Sequence, residues 1–183
     1  MLNKPFGILS QHSDEGNRLG WGSLGLPFPS DVYSIGRLDA DSEGLLLFTN
    51  NNRLKTRLLD PKEGHARTYH VQVEGKASPE QLAQLQAPMT LHIKGKSFTT
   101  QGCTARTITP SWPPRTPPIR VRKSVPDSWL ELTLYEGKNR QVRRMTAAVG
   151  LPTLRLIRVA MGDWELGDLG TGEWKELTNN SIS

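Results

Sequence analysis

Gly36-Arg37-Leu38-Asp39-Ala40-Asp41-Ser42-Glu43-Gly44-Leu45-Leu46-Leu47-Phe48-Thr49-Asn50 joins a charged, glycine-bounded turn to an apolar strand. Leu45 to Thr49 is long enough for a buried strand and too short for a typical helix. Ahead of it, Arg37, Asp39, Asp41 and Glu43 lie between Gly36 and Gly44, which reads as an irregular loop presenting acid and base together. Catalytic groups concentrate on loops carried by rigid strands, so this turn is the first place to look for chemistry.

Working outward, Lys4-Pro5 and Phe6-Gly7 punctuate the chain before a short apolar strand, and residues 11–30 form a polar connection tacked down by Trp21 and Leu24. Downstream, Asn50 to Asn52 cap a helix bearing Leu54, Leu58 and Leu59 that ends at Asp60-Pro61. Residues 66–74 alternate, with Tyr69, Val71 and Val73 on one face and Thr68, His70 and Gln72 on the other. Ser78-Pro79-Glu80-Gln81 is a capping box with proline at the first helical position, opening a helix that carries Leu82 and Leu85.

Residues 91–109 hold short β-like pieces, and residues 129–135 alternate so that Leu130, Leu132 and Leu134 face a core. A helix from Lys138 to Val149, stopped by Gly150, buries Val142, Met145 and Val149. Residues 153–160 form a strand, and residues 161–177 a hairpin turning at Gly170 to Gly172 with Trp164 and Trp174 on its strands. Strands and helices without a regular βα rhythm predict an α+β fold with a mixed, largely antiparallel sheet and flanking helices.

The 183 residues are 36% hydrophobic and 22% charged, a globular composition without an apolar run of membrane-spanning length. The single Cys103 excludes an internal disulfide, no Cys/His group has zinc spacing, and a reducing cytoplasm is expected. The net charge of +5 favours a polyanionic partner, and its distribution is uneven. Arg106, Arg115, Arg120, Arg122 and Lys123 form one acid-free run, and Lys138, Arg140, Arg143, Arg144, Arg155 and Arg158 follow. Six of the 13 prolines fall in residues 110–126, so this basic stretch is either a solvated linker or an arm laid along a nucleic-acid backbone.

There is no metal cluster, nucleotide-binding glycine loop or serine elbow in the sequence, so carboxylates must carry any catalysis. Asp39 and Asp41 are equally eligible on this reading. An arginine set against a partly buried aspartate would favour the ionised form that a nucleophile or base requires.

Asn3-Lys4-Pro5, Gly36 to Asp39, Ser42 to Leu46, Arg67-Thr68-Tyr69-His70-Val71 and Glu136 to Met145 resemble, in order, the motifs of RNA pseudouridine synthases. Gln141-Val142-Arg143-Arg144-Met145 and Gly172-Glu173-Trp174 are similar to the branch that modifies small- and large-subunit ribosomal RNA. The resemblance implies the pseudouridine synthase fold with a central RNA-binding cleft. It also implies a cofactor-independent isomerisation of a flipped-out uridine, here expected in large-subunit (23S) ribosomal RNA. Asp39 would be the catalytic aspartate, attacking the nucleoside or taking a proton from the sugar. Tyr69 would stack beneath the base, Arg143 would pair with the aspartate, and Leu134 would form an apolar wall.

Arg37, Arg140 and Arg144 are the RNA-binding candidates beside these, with Lys4 either on phosphate or capping a strand, and Arg115, Arg120 and Arg122 on the arm. His70 is expected to be structural. Many relatives carry an N-terminal S4-type module, whereas this chain opens on the first catalytic motif. Residues 1–183 are therefore expected to form one monomeric catalytic domain of two lobes without that module. The same chemistry on transfer RNA, and a non-catalytic ribosome-assembly factor, are the competing readings. The latter has no use for the Arg37, Asp39, Tyr69 and Arg143 set.

Overall fold

The computed structural model describes residues 1–93, 95–120, 122 and 124–177. Lys123 of the basic run lies outside them. Along the chain the elements are β1 (Leu2–Lys4), β2 (Tyr33–Ile35), β3 (Glu43–Thr49), α1 (Asn52–Leu59), β4 (Arg67–Glu74), α2 (Pro79–Gln86), β5 (Thr90–Ile93), β6 (Lys96–Thr99), β7 (Thr104–Ile108), β8 (Asp127–Leu134), α3 (Gln141–Ala148), β9 (Thr153–Met161) and β10 (Trp164–Glu165). They fall into two compact units, Met1–His65 with Ile157–Ser183, and Ala66–Leu156. The fold is α+β: β1 and β2 pair antiparallel with β3, and β4 and β7 with β8, while β3 pairs parallel with β9. No helix among the described residues is long and apolar enough to cross a membrane.

The first unit is built around β3. Leu45, Leu46 and Leu47 are all buried, which is why this strand reads as an unbroken apolar run rather than an alternating one. β1 pairs antiparallel with it, placing Lys4 opposite Gly44, and β9 pairs parallel, placing Arg158 opposite the same glycine. β2 completes the set, with Ile35 opposite Leu47. At Gly44 φ is +101°, and a Cβ there would lie 2.3 Å from the Arg158 carbonyl oxygen and 2.8 Å from its nitrogen. Both obstacles are backbone and cannot swing aside, so Gly44→Ala is expected to cost roughly 3 kcal/mol or more, read as a lowered Tm in thermal unfolding. Trp21 packs edge-on to Phe48 and tilted against Phe28, anchoring the 11–30 connection as expected, while Asn51 caps α1 by accepting from Arg53 N and Leu54 N.

In the second unit β8 lies between β4 and β7. Leu130, Leu132 and Leu134 lie in one core with Val71 and Val73, joined by Leu85 of α2, Val142 and Met145 of α3, Leu91 of β5 and Ala105 of β7. Each fully buried leucine contributes about 1.5–3 kcal/mol. Leu134 is 1% exposed within this core, so it is a packing residue and not a wall open to a ligand. The capping box at Ser78 and Gln81 forms as expected.

Three expected boundaries shift. The N-terminal strand is Leu2–Lys4, ahead of the Pro5-Phe6-Gly7 turn rather than after it, because its main chain pairs with β3. The C-terminal hairpin turns at Gly162-Asp163, where Met161 faces Trp164 and Gly162 takes φ +56°, the geometry a two-residue turn requires. Trp174 instead makes an isolated bridge with Leu2. Helix α3 begins at Gln141, three residues later than expected, because Arg140 is left-handed at φ +54°.

Candidate active site

Asp39 sits in the loop between β2 and β3, and the loop is fixed through its main chain. The buried Ser10 hydroxyl donates to the Leu38 carbonyl and accepts from the Leu38 nitrogen, both at 2.8 Å. Gly7 N donates to Ala40 O at 2.7 Å and Ser42 N to Asp39 O at 3.0 Å. Leu38, Asp39, Ala40 and Ser42 are thus tied through their main chain, so the half-buried Asp39 is presented from a preset position. Arg37, just outside the clamp, is exposed.

Under the loop lies a buried charged layer. Lys4 is 0% exposed and its Nζ donates to the carbonyls of Pro5 (2.8 Å) and Ile8 (2.7 Å). Burial lowers its pKa to about 8, against the pull of Glu43, Asp41 and Asp39, while Arg158 pushes it further down. At neutral pH it remains mostly charged, a fixed cation beside the acidic turn. Of the two expectations for Lys4, a phosphate contact or a strand cap, the fully buried ammonium bonded to two carbonyls agrees with the second. Its burial follows from the Lys4–Gly44 register.

Tyr69, Arg143, Arg140 and Arg144 belong to the second unit. Tyr69 is half-buried on β4, opposite Leu132, and packs against the core beside Val71. Arg143 is half-buried on α3. The turn before α3 is held by Gln141, whose side chain accepts from Lys138 N at 3.0 Å and donates to Glu136 Oε1 at 2.6 Å. Arg140 is the one non-glycine residue with positive φ among those described, and it is exposed. The Arg144 guanidinium donates to Asn139 O (3.2 Å) and His92 O (2.9 Å), tying α3 to β5.

The 110–126 arm has no helix or strand among its described residues, yet it is anchored. Trp112 Nε1 donates to His70 Nδ1 at 3.0 Å, Arg155 Nη1 to Pro113 O at 2.8 Å, and Gly75 N to Pro126 O at 2.7 Å. Arg115 donates to Pro117 O and Pro118 O of its own loop. Arg120 is exposed, and Arg122 is exposed with a 3.4 Å ion pair to Glu74. A further basic face, given no role in the sequence, lies on α1, where Arg53 and Arg57 line a surface hollow of about 420 Å³ with Asn52, Thr56 and Glu63. The signal was Arg53, Lys55 and Arg57 at alternate positions with no acid before Asp60.

The profile of the family described as RNA pseudouridylate synthase matches residues 1–148. The chain is 51% identical over 172 residues to the ribosomal large subunit pseudouridine synthase E of Xanthomonas axonopodis pv. citri (strain 306), covering 92% of this chain and 88% of that protein. It is 44% identical over 179 residues to the protein of that description from Vibrio parahaemolyticus serotype O3:K6 (strain RIMD 2210633), covering 97% and 72%. Among solved structures, a crystal structure of a pseudouridylate synthase superposes with TM-score 0.80 at 27% identity, over 99% of this chain and 70% of that one.

Proposed function

The chain belongs to the RNA pseudouridylate synthase family, and from that premise we propose that it isomerises one or a few uridines of large-subunit ribosomal RNA to pseudouridine, in the cytoplasm. The relatives at 44–51% identity that carry this name support the substrate. In the reaction the bond from C1′ to N1 breaks, the uracil turns, and C5 bonds to C1′. C5 gives up its proton and N1 ends protonated, so atoms and electrons balance within the substrate.

Asp39 is the proposed catalytic carboxylate. The observation that carries this is the Ser10 clamp and the buried Lys4 beneath the turn, which hold a half-buried acid in place at little cost in reorganisation. Tyr69 is proposed to stack on the base and Arg143 to supply the positive charge, as the family motifs imply. Arg37 and Arg140, both exposed, are proposed to contact the RNA.

The test is incubation with ribosomal RNA transcripts, with pseudouridine mapped by carbodiimide-dependent reverse-transcription stops. A new stop in large-subunit RNA is expected. Stops confined to transfer RNA would overturn the substrate, and none at all the activity. For the arm, combined Arg120→Gln and Arg122→Gln should lower the slope of log binding constant against log salt by about 1–2. An unchanged slope removes the arm from the RNA interface.

A further inference from the structure

On β4, Tyr69 and His70 point to opposite faces of the strand, and the second face carries a continuous polar relay. Arg106 on β7 donates through Nε to Glu131 Oε1 on β8 at 2.7 Å, His70 Nε2 lies 3.3 Å from Glu131 Oε2, and Trp112 Nε1 lies 3.0 Å from His70 Nδ1. The rings of His70 and Trp112 meet edge to face, with centroids 5.6 Å apart. An indole N–H can only donate, so His70 Nδ1 must carry a lone pair and Nε2 the proton that faces Glu131. The relay is therefore directional, and it ends on the basic arm.

We propose that His70 is a positioning residue that moors the 110–126 arm, its neutral imidazole accepting from Trp112 while Glu131 and Arg106 hold its tautomer. Protonation of Nδ1 would set two N–H groups against each other and tighten the pair with Glu131, so the imidazolium form releases Trp112. The charged groups facing this ring are Glu131 and Arg106, with Arg155 bonded to the neighbouring Pro113. Burial lowers the His70 pKa from 6.5, with Glu131 opposing and Arg106 assisting. The sign follows: a depressed histidine favours the moored form above pH 6.5, and that preference is lost as pH falls through the lower folded value. Only the kinetic consequence, a weaker grip on substrate, rests on the proposal that the arm contacts ribosomal RNA.

The experiment uses the RNA-free protein, following the indole N–H resonance of Trp112, identified by its disappearance in Trp112→Phe, from pH 7.5 to 5. A hydrogen-bonded, slowly exchanging resonance is expected at pH 7.5, moving to a solvent-like position as pH falls. His70→Ala should show the solvent-like position throughout. His70→Asn, whose amide oxygen replaces Nδ1 as acceptor without titrating, should stay near the moored position at every pH. With RNA, Trp112→Phe and His70→Ala should raise KM several-fold with kcat kept, and His70→Asn should restore KM. A resonance that ignores both pH and His70→Ala overturns the mooring. A resonance that responds while KM stays constant confirms the mooring and removes the arm from RNA binding.

Discussion

Asp39→Asn is expected to lower pseudouridine formation by about four orders of magnitude or more while leaving the fold and RNA binding intact. The amide is nearly isosteric with the carboxylate, but it can neither attack carbon nor take a proton. The Ser10 hydroxyl and the main chain of Gly7, Leu38, Asp39, Ala40 and Ser42 hold the turn through bonds that the substitution leaves untouched. The measurement is nucleoside analysis of digested RNA after a single turnover, alongside Tm and RNA affinity. Full activity in Asp39→Asn would remove the central assignment. Asp41→Asn is the control. Asp41 is half-buried and interacts with Lys4 as Asp39 does, so its variant tests whether any carboxylate near that cation suffices.

The second large effect is at Tyr69. Tyr69→Ala should reduce the rate by roughly 10³-fold, because base stacking and the geometry set by the ring go together. It should also cost about 2–4 kcal/mol of stability, since the ring packs on the core beside Val71 and opposite Leu132. Tyr69→Phe separates these contributions: it keeps the packing and the stacking face and removes only the hydroxyl. Activity within about tenfold of the parent is expected if the ring stacks, whereas a loss near that of Tyr69→Ala would give the hydroxyl a proton-transfer role of its own. Assays well below the variant's Tm keep the stability cost out of the rate.

Elements whose local pattern already states their environment were legible in the sequence. The apolar run of β3, the alternation of β4 and β8, and the caps of α1 and α2 formed where expected. At β1, Arg144 and Trp112 the deciding partner is distant in the chain. β1 is three residues long and exists through its register with β3. The sequence marks Arg144 only as an RNA-binding candidate, and β5 beside it supplies the His92 carbonyl that it bonds. Trp112 sat in a proline-rich segment with no periodicity to read, and its acceptor is on a strand 42 residues earlier.

By itself the sequence determined the α+β class, the strand and turn that carry Asp39, the basic character of the second half, and, through its ordered motifs, the family. These follow from local periodicity, capping chemistry and residue order, which need no partner in space. Only the tertiary structure decided which charges are buried and which stay exposed. It buried Lys4 beside the acidic turn, bonded Arg144 to the His92 carbonyl, left Arg37, Arg140 and Arg120 exposed, and set the Trp112 indole N–H against His70 Nδ1. A charge in a sequence has no dielectric around it. Burial and a hydrogen-bonding partner, which only packing supplies, determine whether it meets substrate or holds the loop that does.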